Sequence, residues 1–450
     1  MNVSDATKQA FANDGVHKTV RIVFPGLSIT VTNNQIDKET LKIKESLISG
    51  SKFEIIGCIA SVLTVNVYNL TTNIKGARIE VYIKAGETQE IPIFKGIVDS
   101  AIRQSDRRVR TITAYDEIYR ISDVDVASWY KSLNFTKSIK EIRDSLFSTL
   151  GIVQESATLI NDNVYIEKQY DPNELNALEV IKNICQINAV FGRINRNGKF
   201  EYITPKMPSD TGGVFPGSST FPSSNLFPSS TGHSGSGVTE FSFYKNAYYE
   251  DYTVNPIDKV TIRENSNDVG ISSGDGINNY IIQGNIFTYK LASQTISSMA
   301  TRIKNTLDDF YYIPFNAQLM GAPYLECGKD FIKISVLDDG QGVNNEQRVD
   351  KIFNIFEREL TGVQLLTDSF KAEGEENQRI FITDLNTNVD KIEAKVEEAR
   401  EDISDLDDRV TALENADPPD VGLKVEVVDY IPSTGDPNTL YLVRGVVILE

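Results

Sequence analysis

Between about residues 18 and 116, apolar and polar side chains alternate along the chain. In RIEVYIK, Ile79, Val81 and Ile83 point one way while Glu80, Tyr82 and Lys84 point the other. In VLTVNVY, Leu63, Val65 and Val67 oppose Thr64 and Asn66. A period of two, broken by turn pairs such as Pro25-Gly26 and Ser49-Gly50, predicts half-buried strands of an antiparallel sandwich or barrel. After residue 130 the period changes. Ile139, Ile142, Leu146 and Leu150 follow helical spacing, and Gly151 stands where a C-terminal cap belongs. A second helix is expected to open at Asp171-Pro172-Asn173-Glu174, an N-cap carboxylate followed by Pro at the first position. Its apolar face runs Ala177, Val180, Ile181, Ile184 and Ile187. VFGRINRNGKFEYI then predicts a hairpin turning at Asn197-Gly198.

Strand-like pattern returns from about 239 to 371, in EFSFY, KVTIRE, NYIIQ and FIKISVL. One helix interrupts it, with Ile296, Met299, Ile303 and Leu307 on one face. Between the two regions, VFPGSSTFPSSNLFPSS sets Phe215, Phe221 and Phe227 at six-residue intervals, each followed by Pro. From Ser209 to Gly237, 18 of 29 residues are Ser, Gly or Pro, too few apolar groups to fold alone. Six is a multiple of both two and three, so the phenylalanines align on one face of a strand or a polyproline helix, whereas an α-helix would scatter them. The two readings are an extended strap whose aromatics seat against protein, and a plain disordered linker.

The strongest periodicity is C-terminal. With Ile382 as position a, the seam reads Ile382, Val389, Val396, Ile403 and Val410 at a, and Leu385, Ile392, Ala399, Leu406 and Leu413 at d. Nearly five unbroken heptads predict a coiled coil. Branched a residues with Leu at d lean towards two strands. Arg409-Val410-x-x-Leu413-Glu414 resembles the phrase of parallel trimers, in which Arg409 pairs with a neighbour's carboxylate. A trimer is the expectation, with Arg409 and Glu414 as its specifying pair.

The expected order is an N-terminal arm (1–17), a first β domain (18–128), an α/β insert (129–205) and the strap or linker (206–238). A second β domain (239–371), a coiled coil (372–416) and a C-terminal β extension (417–450) follow. The fold class is mainly β with an α+β insert.

Composition narrows the function. The chain has 450 residues and a net charge of −18, which argues against a nucleic-acid or anionic-membrane binder. Phe381–Asn415 alone carries 11 acidic and 4 basic residues, so much of the acidity is a solvated coil. No stretch approaches the ~18 apolar residues of a membrane span, and the first residues lack a secretory signal pattern. Cys58, Cys185 and Cys327 lie far apart without a Cys-x-x-Cys, which argues against a disulfide framework or a structural zinc site. His17 and His233, the only histidines, lack a ligand or base partner nearby in sequence.

Gly270-Ile271-Ser272-Ser273-Gly274 has the form of an esterase elbow, but no helix pattern follows directly and no histidine lies beyond 233, so it is read as a turn loop. Three Gly-x-Gly pairs lack a third glycine, and neither Gly-Lys pair precedes Ser or Thr, so dinucleotide and P-loop readings fail. Leu337-Asp338-Asp339-Gly340 lacks the Glu of a calcium loop and reads as a hairpin turn. No catalytic, cofactor-binding or metal residue is assigned, and no enzyme activity or cofactor is expected. A carboxylate pair for glycan hydrolysis stays open, because 63 acidic residues offer many candidates.

Three stretches carry a family resemblance: SLISGSKFEIIGCIASVLTVNVYNL through IFKGIVDSAIRQSDRRVRTITAYD, LEVIKNICQINAVFGRINRNGKFEYI, and YTVNPIDKVTIRE through YYIPFNAQLMGAPYLECGKDFIKI. In this order they resemble the tail hub proteins of phages of Gram-positive bacteria, the tube-proximal part of tail-associated lysins, over roughly residues 5–371. The resemblance implies two tail-tube-like β-barrels per chain and a homotrimer joining a sixfold tube to a threefold tip around a DNA-ejection channel. It also implies a location in the virion tail tip or baseplate after assembly in the host cytoplasm. The implied partners are further copies of the chain, a distal tail protein or tube end, a tape-measure protein, and a fibre or tip protein at the C-terminus. DNA would pass without specific binding, and no membrane is involved. Lysin members carry a hydrolase module after the hub; here a coiled coil and IPSTGDPNTLYLV, which resembles a short fibre-protein connector, stand instead. The alternatives are a tail-associated peptidoglycan hydrolase, the hub of a phage-derived bacteriocin or injection particle, and a glycan-binding trimeric adhesin.

Overall fold

In the computed structural model, eleven strands drawn from both β regions form one sheet in which every neighbour is antiparallel. From one edge the order is Asn246–Tyr249, Phe315–Met320, Thr367–Ala372, Glu357–Thr361, Lys42–Ser46, Val62–Tyr68, Val109–Tyr115, Ile91–Arg103, Arg78–Ala85, Lys18–Phe24 and Ile29–Val31. Four strands of the later region thus continue seven of the earlier one. They meet at a seam where Lys42–Ser46 pairs with Glu357–Thr361, Ser46 opposite Glu357 and Lys42 opposite Thr361. The structure describes residues 3–48, 55, 57–105, 108–167, 170, 172–207, 238–241, 244–338, 347–376, 424–430, 434 and 439–444. The chain divides into two compact units, Met1–Leu385 and Asn386–Glu450.

The alternation read from sequence sets the faces of these strands. Ile79, Val81 and Ile83 are fully buried, as are Leu63, Val65 and Val67, while their polar neighbours are partly exposed. The mainly β expectation therefore holds. The later region is less uniform than its pattern suggests. Beyond its four strands in the large sheet it builds two three-stranded sheets, each with one parallel pair. In one, Lys259–Arg263 lies between Ile271–Ser273 and Asn279–Gln283, with helix Ser293–Leu307 against it. Met299, Ile303 and Leu307 of that helix are buried, as their spacing implied. The N-terminal arm holds an unforeseen helix, Asp5–Ala12, whose N-cap Ser4 accepts a bond from Thr7 N and whose Phe11 is buried.

The insert matches its helical reading at one helix and shifts it at the other. Helix Ile139–Leu150 starts in a capping box, Ser138 with Glu141, and ends at Gly151 with φ 67°, the left-handed cap the sequence called for. The second helix runs Ala177–Ile187, opening about five residues later than the Pro172 signal suggested. Tertiary pairing is the cause. Leu175 N donates to Asp125 Oδ1 (3.0 Å) and Val126 N to Leu175 O (2.7 Å), which keeps this segment extended beside Asp125. Asn176 is the actual cap, its Oδ1 accepting from Leu178 N and Glu179 N. The hairpin is Phe191–Ile194 with Phe200–Ile203, and Gly198 takes φ 76° at the turn.

At Gly192 in this hairpin the first β region and the insert come into close contact. Cys58 N donates to Gly192 O at 2.6 Å, and the sulfurs of Cys58 and Cys185 lie 3.8 Å apart beside it. A Cβ on Gly192 would meet Phe200 Cζ at 2.5 Å, Cys58 Sγ at 2.7 Å and Cys185 Sγ at 2.8 Å. Gly192→Ala should therefore destabilise the chain by about 1–3 kcal/mol, as overpacking does, read as a lower midpoint in denaturant unfolding. An unchanged midpoint would show that the neighbouring sulfurs yield without cost.

Candidate functional site

Three strands around the seam each set one charge in line with their core residues. Ile43 and Glu45 share a face, as do Arg358 and Leu360, and Asp368 and Phe370; all six are buried. Glu45 and Arg358 stand directly opposite each other across the seam. Arg358 reaches Glu45 Oε2 with NH1 (3.3 Å) and forks onto Asp368 with Nε (2.8 Å) and NH2 (3.0 Å). It also donates to Leu325 O and Ala322 O, while Ala322 N donates to Asp368 Oδ2 (2.8 Å).

The insert hairpin closes the cluster from another side. Arg196 approaches Glu45 (3.4 Å) and donates to the carbonyls of Pro323 and Leu325. Arg193 bridges Glu201 Oε1 (2.7 Å) and Glu326 Oε2 (2.5 Å), and Lys329 reaches Glu201 Oε2 (2.5 Å). Three arginines and one lysine thus face four carboxylates, and the seven charges other than the half-exposed Lys329 are buried.

The electrostatics follow from burial and matching. Burial alone would raise the Glu45 carboxyl, but Arg196, Arg358 and Arg193 together hold it below the ordinary range. Glu326 is likewise depressed, with Arg196, Arg193 and Lys329 overriding desolvation. Burial lowers the guanidiniums of Arg193 and Arg358, and the surrounding carboxylates more than restore them. Nearby Asp116 has no cationic partner among the described residues. Burial pushes it up to about 7 against bonds from Ser61 N (2.8 Å) and Ile118 N (2.9 Å), and the charge of Glu45 adds to the rise. The cluster fastens parts of the chain together, with Glu45 and Glu326 held ionised and enclosed within it.

None of the residues singled out from sequence belongs to this cluster as described. The coil seam Ile382 to Leu413, the pair Arg409 and Glu414, the strap aromatics Phe215, Phe221 and Phe227, and His233 lie outside the described residues. His17 precedes the first strand, its carbonyl accepting from Gly86 N. The Gly270–Gly274 segment is a short strand, Ile271–Ser273, between two left-handed glycines, not the turn loop its glycines suggested. Ser272 Oγ meets Thr261 Oγ1 there at 2.8 Å. Asp338 ends a strand antiparallel to Gln347–Asn354, as a hairpin requires. Among the described residues no three His, Cys, Asp or Glu side chains converge to hold a metal ion. The buried cluster went unread because charges at 193, 196 and 201 look like an ordinary solvated hairpin. The findable signal was the acid or base in phase with apolar neighbours, in Ile43-x-Glu45, Arg358-x-Leu360 and Asp368-x-Phe370.

No protein-family model and no curated protein sequence matches the chain. Among solved structures it is similar to a tail protein from Neisseria meningitidis MC58, at 11% identity and a TM-score of 0.46, over 81% of this chain and 98% of that one. It is similar to the 43 kDa tail protein of prophage MuSo2 from Shewanella oneidensis, at 12% identity and a TM-score of 0.45, over 79% and 97%. It is also similar to prophage tail protein gp18 from Listeria monocytogenes EGD-e, at 11% identity and a TM-score of 0.44, over 82% and 99%.

Two tests address the cluster. Arg358→Met leaves Glu45 and Asp368 short of their shared cation in a buried site. It should cost roughly 3–5 kcal/mol, seen as a lower urea midpoint; a midpoint within error of wild type would show that the seam does not depend on it. The pH test has two signs. Carboxyls held below the unfolded value stabilise above about pH 4.5 and lose that contribution as pH falls. The stability advantage of wild type over Glu45→Gln should therefore shrink as pH falls below about 5. Asp116 is raised to about 7, so its contribution is full below about pH 4 and lost as pH rises through that value. The balance between wild type and Asp116→Asn should shift in favour of the variant from about pH 4 to about pH 7. A flat difference in either series would contradict the corresponding assignment.

Proposed function

We propose that the chain is a structural hub of a phage tail tip or baseplate, a homotrimer whose two tube-like β regions join a sixfold tail tube to threefold tip components. The observation that carries this reading is the seam. Two sequence-distant β regions continue one another as a single antiparallel sheet locked by buried charge. Such a plate suits the wall of a channel better than a catalytic cleft does. Its outer strands, Asn246–Tyr249 and Ile29–Val31, have no second partner among the described residues, and open edges are surfaces on which neighbouring copies pair.

The sequence resemblance supports the same role through the order of β region, insert, strap, β region and heptads. In this reading three copies close two tube-like barrels each around the DNA-ejection path, and the net charge of −18 discourages phosphate sticking. A distal tail protein or tube end lies on the proximal side, a tape-measure protein in the channel, and a fibre or tip protein at the C-terminus. The strap phenylalanines Phe215, Phe221 and Phe227 button the strap onto the hub. The same architecture serves the hub of a phage-derived bacteriocin or injection particle.

Light scattering on the purified chain at micromolar concentration should give a three-chain mass, and Val410→Asp with Leu413→Asp should reduce it to one chain. A monomeric wild type would overturn the homotrimer. Peptidoglycan zymography should give no clearing; clearing abolished by one carboxylate substitution would establish the hydrolase reading instead.

A further inference from the structure

The described part of the C-terminal unit is a pair of parallel strands, Lys424–Val428 and Thr439–Val443, with Val425 opposite Leu440 and Lys424 opposite Thr439. Directly paired residues share a face of the ladder, and residues two apart return to it. Val425, Val427 and Leu440 therefore lie together on one side, wholly apolar, with Lys424, Glu426, Val428 and Thr439 on the other, which is mixed. The apolar side is open: Val425 is 58% exposed and Leu440 53%, with Val427 between them partly buried.

Two strands do not make an independently stable sheet in water, and parallel strands are ordinarily covered on their faces. The element is thus one part of something larger. Its place in the chain names the other parts. The last heptad leucine, Leu413, stands eleven residues before Lys424. A parallel coiled coil delivers the same segment of each copy side by side at that point. Identical pairs arriving together bury their wholly apolar sides by turning them towards the common axis, which leaves the mixed side, with Lys424, Glu426 and Thr439, facing outwards.

We infer that the apolar faces of the 424–443 strand pairs from the copies of this chain pack on one another and form a cap that closes the coil. This rests on the homotrimer proposed above and adds to it a second, β-structured contact surface. The partner is a further copy of the chain rather than a different protein. Heptads alone tolerate a slip by seven residues, whereas a folded cap fixes the alignment of the three chains.

The test uses the full-length chain. Cys58, Cys185 and Cys327 are buried, so an introduced thiol at the strand pair is distinguishable from them. Leu440→Cys, oxidised with glutathione disulfide, should give covalent chain pairs on a denaturing non-reducing gel, while Glu426→Cys on the opposite side should give none. Leu440→Asp should raise the concentration at which the three-chain mass is lost by about tenfold or more, the scale of losing one buried aliphatic contact. A single-chain wild type would overturn the homotrimer and the cap together. A three-chain wild type in which Leu440→Cys stays unlinked and Leu440→Asp changes nothing would overturn the cap alone. A Leu440→Cys thiol that resists labelling yet never links chains would also overturn it, because the face would then be covered by its own chain.

Discussion

The pairing of Glu45 with Arg358 across the seam is the interaction on which the N-terminal unit depends. The two residues are 313 positions apart in sequence, sit opposite each other in neighbouring strands and are withdrawn from water. A buried charge is tolerated only when it is matched, so Glu45 constrains every element that touches it. Arg358 must arrive with its strand, Asp368 with the next, and Arg196 with the insert hairpin. None of these parts reaches its final surroundings without the others. That requirement makes three sequence regions into one unit even though their hydrophobic patterns would let each look like a domain.

Such a cluster contributes less to net stability than its many bonds suggest, because desolvation offsets the attraction. Its larger effect is on register. A slip of one residue in Glu357–Thr361 would set Glu357 or Glu359 against Glu45 and turn Arg358 away, burying like charges and moving Leu360 out of the core. The wrong pairing is therefore penalised twice. The insert is held on a further side through its amide side chains and backbone, by Arg302 Nε to Asn161 Oδ1 (2.7 Å) and Asn285 Nδ2 to Asn183 O (2.9 Å), while Tyr280 OH donates to Ile55 O of the first β region (3.2 Å). Charge fixes it to the large sheet and amides fix it to the smaller sheet and its helix.

Local physics made much of this legible from sequence. The strands around Ile79–Ile83 and Leu63–Val67, the helix ending at Gly151 and the Asn197-Gly198 turn depend on neighbours within a few residues, and their patterns read true. The start of the Ala177 helix did not, because Asp125, fifty residues away, takes up the Leu175 N–H and holds that segment extended. The continuation of one β region into the other was invisible for a similar reason. Alternation reports which side of a strand is buried and says nothing about which strand lies beside it. The charged residues of the seam carried a faint signal, an acid or base in phase with apolar neighbours, and single-strand patterning treats such residues as noise.

The two units differ in how they satisfy their apolar surface. In the N-terminal unit the described core is closed internally, and the buried charges at the seam are matched side chain to side chain while Asp116 is met by backbone N–H groups. In the C-terminal unit the described strands keep half-exposed valine and leucine on one face, on an element too small to cover them. Val425 and Leu440 there are a surface left open by folding, of the kind that association can bury.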